Sequence, residues 1–185
     1  MNTTGKIKVL GISGSLSPTS AGTAILKKLA ELSSDDISFS LSESIGNLPH
    51  FSPHLDNENL PESVSLFRKS LQRADVIVIC TPEYAHSIPG SLKNALDWVV
   101  SSGEFVNKPV GVISTSPSGA GGKLANDGLV YLLNVLSAKV QEKLVMIVPH
   151  IRLKVNQNGE MIDSDFESLL KEYLEKIKSL MENMN

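Results

Sequence analysis

The chain has 185 residues, 41% of them hydrophobic, with a formal net charge of −3 and an isoelectric point near 5.8. That is enough apolar content for one sizeable core, so a single domain over 1–185 is expected, while the mild and unclustered acidity offers no footprint for nucleic acid or an anionic membrane. No apolar run reaches the ~20 residues of a bilayer span, MNTTGKIKVLGIS lacks an apolar leader followed by a cleavage site, and Cys80 is the lone cysteine, so the expectation is a soluble, cytoplasmic protein without disulfides.

Ile7 to Ile12 carries Lys8 as its only charge and reads as a central strand buried on both faces. The loop from Gly14 to Gly22 that follows offers four hydroxyls, on Ser15, Ser17, Thr19 and Ser20. From Thr23 onward, Ile25, Leu26, Leu29 and Leu32 recur at helical spacing. A strand, a polar loop and a helix N-terminus in succession suit a phosphate, because free amides converge with the positive end of the helix dipole and hydroxyls add donors without bulk. The spacing is neither the dinucleotide fingerprint nor a P-loop, and an ordinary βα turn is the alternative.

Ile37 to Leu41 alternates apolar residues with serine, as an edge or half-buried strand does. Ser42 to Pro61 has no period and reads as a long surface loop, in which His50 and His54 lack a third metal ligand and are expected to be solvated. Glu62 to Arg73 is a short helix, and Val76 to Cys80 a continuous apolar strand with Cys80 as a core residue. The strand feeds Thr81 to Trp98, a stiff proline-bearing loop and then a helix, with Ser87 as the expected N-cap, Pro89 in the first turn, and Leu92, Ala95, Leu96 and Val99 at helical spacing.

Pro109 to Thr115 is the next buried strand, and Ser116 to Gly122, SPSGAGG, permits positive φ and close approach of backbone to a flat ligand. A helix from about Leu124 to Ala138, a strand from Leu144 to Val148 reached through Val140, an Asn158-Gly159 turn fitting a small hairpin, and an amphipathic helix from Phe166 to Met181 complete the chain. Five strands alternating with helices define an α/β fold, a flavodoxin-like doubly wound five-stranded parallel sheet in the order 2-1-3-4-5. The loops after the first, third and fourth strands then converge at one crevice, matching a ligand with a phosphate at one end and a flat ring at the other.

With these loops in place, the chain resembles the NADPH-dependent FMN reductase family over essentially its whole length. The motif that carries the resemblance is Pro82-Glu83-Tyr84, Ser87, Pro89-Gly90, Leu92-Lys93-Asn94-Ala95 and Asp97-Trp98. The resemblance implies FMN as cofactor and NADPH or NADH as electron donor, with Gly14, Ser15, Ser20 and Thr23 around the phosphate and Leu16 and Gly22 beside them. It places Pro82, Glu83, Tyr84, Ala85 and His86 against the flavin ring, and Ser114, Ser116, Gly119, Gly121 and Gly122 near the pyrimidine edge. It also implies a homodimer or homotetramer using the helix near Ser91, small-molecule substrates, and hydride transfer through FMN to a small acceptor such as free flavin or a quinone. No catalytic side chain and no metal are expected.

Two departures stand out. Ser17 and Gly22 occupy places where many relatives carry Arg and Asn, and Lys123 and Leu124 stand where Arg often follows the double glycine. Trp98 is expected in the core or an interface, Glu83 as a solvated or dipole-capping carboxylate, and His86 as a loop histidine. The rival readings are a flavodoxin-like electron carrier and a flavin-binding module without NAD(P)H turnover.

Overall fold

The computed structural model describes residues 5–184; residues 1–4, on which part of the expectation for MNTTGKIKVLGIS falls, and residue 185 lie outside it. Five strands, β1 (Ile7–Ser13), β2 (Ile37–Leu41), β3 (Val76–Pro82), β4 (Pro109–Thr115) and β5 (Lys139–Val148), form one parallel sheet in the order β2-β1-β3-β4-β5. The helices are α1 (Ala21–Leu32), α2 (Glu62–Arg73), α3 (Gly90–Asp97), α4 (Lys123–Val135) and α5 (Ser164–Met184).

Successive side chains of a strand point to opposite faces, and here both faces are covered. Val9, Val76, Val78 and Cys80 pack with α1 and α5, whereas Leu10, Ile77 and Ile79 pack with α2, α3 and α4. That two-sided burial explains why the central strands read as unbroken apolar runs. The edge strand β5 departs from this pattern. It begins at Lys139 and bulges between the pairs Val110–Val140 and Val112–Val145, and Tyr173 of α5 donates a hydrogen bond to Leu144 O at the bulge at 2.9 Å.

The expected N-cap at Ser87 is corrected. Ser87 pairs with Tyr84 instead, and α3 starts at Gly90 with Pro89 at the cap position. The loop from 42 to 61 is also more than a surface excursion, since it contains two 3₁₀ turns and buries Ile45 and Leu48. His50 and His54 are exposed, as expected. Four side chains pin this loop: Arg68 of α2, Asn94 of α3, and Trp98 and Ser101 just beyond α3. Asn94 Nδ2 and Trp98 Nε1 both donate to Pro49 O, at 3.0 and 2.8 Å, while Phe51 N donates to Asn94 Oδ1 at 2.8 Å. Arg68 Nη2 reaches Asp56 Oδ1 at 2.8 Å, and Ser101 donates to the other Asp56 oxygen. Those two partners, the Ser101 hydroxyl first, hold the Asp56 carboxyl below the ordinary carboxylate range.

Candidate cofactor site

The carboxyl ends of β1, β3 and β4 open onto a crevice of about 480 Å³. Its first wall is the loop from 14 to 20. Ser20 caps α1 by accepting from Thr23 N at 3.2 Å, and Thr23 Oγ1 lies 2.9 Å from both Ser20 Oγ and Ser13 Oγ. Ser17 N bonds Ser15 Oγ at 3.3 Å, and Gly14 N donates to Cys80 O at 2.8 Å. These bonds leave something over. Among the described residues the amides of Thr19, Ala21 and Gly22, all lining the crevice, have no hydrogen-bond acceptor. Ala21 and Gly22 open α1, where the first amides have no acceptor within the helix, so with Thr19 they offer donors at the positive end of the helix dipole that suit an anion.

The second wall is Pro82 to Ser87, where Tyr84 N donates to Ser87 O at 2.9 Å and Ser87 N to Tyr84 O at 3.0 Å. Ala85 and His86 between them both sit at positive φ, 49° and 59°, as a two-residue primed turn requires. Neither is glycine, so the turn is strained by about 1 kcal/mol or more at each. Glu83 Oε2 accepts from Ala125 N at 3.1 Å in the first turn of α4, which makes it the dipole-capping carboxylate of the two expected alternatives. His86 Nδ1 lies 3.5 Å from the other Glu83 oxygen and is otherwise open to solvent.

The third loop is held from behind. Ser114 is fully buried, donates to Gly121 O at 3.0 Å and is bonded by Asn126 Nδ2 at 3.3 Å. Gly121 and Gly122 have φ of 63° and 79°, and a Cβ at Gly121 would come within 2.5 Å of Ile147 Cγ2, so only glycine fits there.

Of the residues expected at the cofactor, Ser15, Ser20, Gly22, Pro82, Glu83 and Tyr84 line this one crevice. Gly14, Thr23 and Ser114 stand behind it as braces, and Leu16 projects over Gly46 of the long loop, where a Cβ would meet Leu16 Cδ2 at 3.0 Å. Ala85, His86, Ser116, Gly119, Gly121 and Gly122 shape the turns above it rather than its lining. Sequence reasoning did not bring Thr115, Pro117 or the segment after β5 to the site, yet Ile151, Arg152, Asn156 and Gln157 line it too. The expected hairpin is present as a Val155–Met161 bridge, and it reaches back to the first loop: a Cβ at Gly159 would stand 3.4 Å from Thr19 O.

A phosphate-bearing flat cofactor fits this donor set, with unpaired amides at one end and a rigid turn at the other. Fold and site define a flavodoxin-like flavoprotein. The family model of NADPH-dependent FMN reductases matches residues 7–152, and the chain belongs to that family. It is similar to 2-hydroxy-1,4-benzoquinone reductase of Burkholderia sp, 32% identical over 173 residues that cover 92% of this chain and 93% of the relative. The quinone reductase of Escherichia coli K12 is 31% identical over 162 residues, covering 85% and 86%. Among solved structures, the flavoenzyme NAD(P)H:(acceptor) oxidoreductase FerB from Paracoccus denitrificans superposes with a TM-score of 0.83 at 27% identity, covering 95% of this chain and 97% of that one. The chain is thus an FMN-dependent NAD(P)H oxidoreductase. No helix among the described residues is long and apolar enough to cross a membrane.

Proposed function

We propose that the crevice holds FMN with its phosphate at the amides of Thr19, Ala21 and Gly22 and its ring against the turn from 82 to 87, and that the physiological acceptor is a quinone. The unpaired amides carry this reading, because a phosphate presents several acceptor oxygens and a negative charge that suit clustered donors at the start of a helix. Bound FMN supplies the two-electron relay between nicotinamide and acceptor. The protein holds and shields. Glu83, the one carboxylate in the lining, is engaged at Ala125 N and so orients the turn instead of moving protons. Tyr84, 56% exposed, stands at the mouth and offers a flat face to a planar partner. The quinone assignment is supported by the activities named for the Burkholderia and Escherichia coli relatives.

The test is to bleach the FMN-loaded protein with NADPH under anaerobic conditions, and then to follow recolouring by 1,4-benzoquinone or by free FMN. Faster recolouring by the quinone is expected; free FMN winning at equal concentration would sink the assignment. The exposed apolar face lies on α4, at Leu124, Tyr131 and Val135, and not on the polar outer face of α3. It supports a homodimer or homotetramer, which Tyr131→Glu would dissociate in light scattering. With its single thiol buried and no disulfide to protect, the chain suits the cytoplasm.

A further inference from the structure

The phosphate monoester of FMN brings close to two negative charges at neutral pH, and amides with hydroxyls alone leave that charge without a counterion. The first loop contains no basic residue. Among the residues that line the crevice, Arg152 is the sole cation, and among the described residues its guanidinium has neither a hydrogen bond nor an ion pair. Its basic neighbours are already engaged: Lys123 with Asp127 at 2.6 Å, and Lys154 with Asp163 at 3.1 Å and over the Phe166 ring.

The backbone under Arg152 is fixed. Ile151 and Val155 are buried, Ile151 N donates to Ser116 O at 3.1 Å, and Val155 N to Ile151 O at 2.9 Å. The hairpin that follows approaches Thr19 through Gly159. The segment therefore runs from the third loop to the first, along the crevice. Arg152 thus lines the same crevice as the three unpaired amides, on a backbone that is held in place.

We infer that Arg152, from the segment after β5, is the counter-charge for the FMN phosphate and supplies by fold what the first loop lacks in sequence. This rests on the placement of FMN in the crevice. A guanidinium presents two parallel donors that match two phosphate oxygens, so lysine is an incomplete substitute. The positioning role is separable from ring binding, because riboflavin has the same ring and no phosphate.

Dissociation constants for FMN and riboflavin, read from quenching of flavin fluorescence, test it on Arg152→Gln, Arg152→Lys and a Ser20→Asp control. Arg152→Gln is expected to weaken FMN about tenfold or more while riboflavin stays within about twofold, with Arg152→Lys in between. The salt dependence of FMN binding should flatten in Arg152→Gln. Unchanged riboflavin binding also certifies the fold. Equal weakening of both flavins would overturn the proposal, as would unchanged FMN affinity with a raised KM for NADPH. If Ser20→Asp abolishes FMN binding while Arg152→Gln has no effect, the crevice stands and Arg152 falls. If neither variant moves FMN affinity, the placement of FMN itself fails.

Discussion

The two main walls of the crevice are built on opposite plans. The loop after β1 is shaped by side chains, a web of hydroxyls on Ser13, Ser15, Ser20 and Thr23 that leaves backbone amides free. The turn after β3 is shaped by backbone, two residues forced into positive φ and closed by reciprocal amide bonds. A charged, rotating phosphate is best met by many small donors, whereas a flat ring needs a hard surface that does not yield. The first wall gains its donors by leaving bonds unmade, and the second gains stiffness by accepting strain.

The largest disturbance of this contrast comes at the joint between the walls. A Cβ at Gly22 would stand 3.2 Å from Cys80 Sγ, so Gly22→Ala requires the sulfur or the start of α1 to give by a few tenths of an ångström. Overpacking of this kind costs about 1–3 kcal/mol, and FMN affinity should fall with it. Cys80→Ala in the same chain should restore both, by chemical denaturation and flavin titration; no rescue would mean that the amide position is not set by this contact.

Asp56→Asn comes next, because the long loop that it pins carries Gly46 under Leu16 and so supports the first wall. Loss of charge-assisted bonds here should lower stability at pH 7 by about 1.5 kcal/mol. The sign with pH follows from the depressed carboxyl. Its contribution is complete above the unfolded carboxylate value of about 4 and fades as the pH falls through the lower folded value. Melting curves of wild type and variant should therefore draw together as the pH falls from about 4 through the lower folded value; a gap that persists below that value would assign the loss to shape instead of charge.

Ser20→Ala removes the cap of α1 and should cost about 1 kcal/mol, with FMN binding weakened more than riboflavin binding. The smallest effect should be opposite in sign. Ala85→Gly relieves a positive φ and should raise the melting midpoint, by no more than about 1 kcal/mol in free energy. The softer turn should hold FMN less tightly. A variant both more stable and equally tight would show that the strain serves no purpose at the ring.

The sheet was legible because its central strands are covered twice: Val76 to Cys80 and Pro109 to Thr115 announce themselves as unbroken apolar runs. The first half of β5 was hidden, since its bulge turns Glu142 and Lys143 to solvent at an edge. The turn at Ala85-His86 carried no local signal either, because primed turns are recognised by Asn-Gly or Asp-Gly, and here tertiary context overrides that preference. Ser87 consequently looked like a cap. Asn94 and Trp98 are polar anchors for Pro49, more than forty residues away, and no spacing rule reveals such a partner. Arg152 was missed for the same reason, although the carboxyl end of β5 lies on the edge to which ligands were already assigned.

Cys80 gives the last consequence. Quinones are electrophiles that arylate thiolates by conjugate addition, and an enzyme that turns them over meets them at every cycle. Here the lone thiol, Cys80, is fully buried beneath Gly22, and burial pushes its pKa far up, so neither access nor thiolate is available. With the proposed quinone as acceptor, Cys80 is kept out of its reach: equimolar benzoquinone at neutral pH should leave Cys80 of the native chain unmodified in a peptide map, while the denatured chain carries an adduct there.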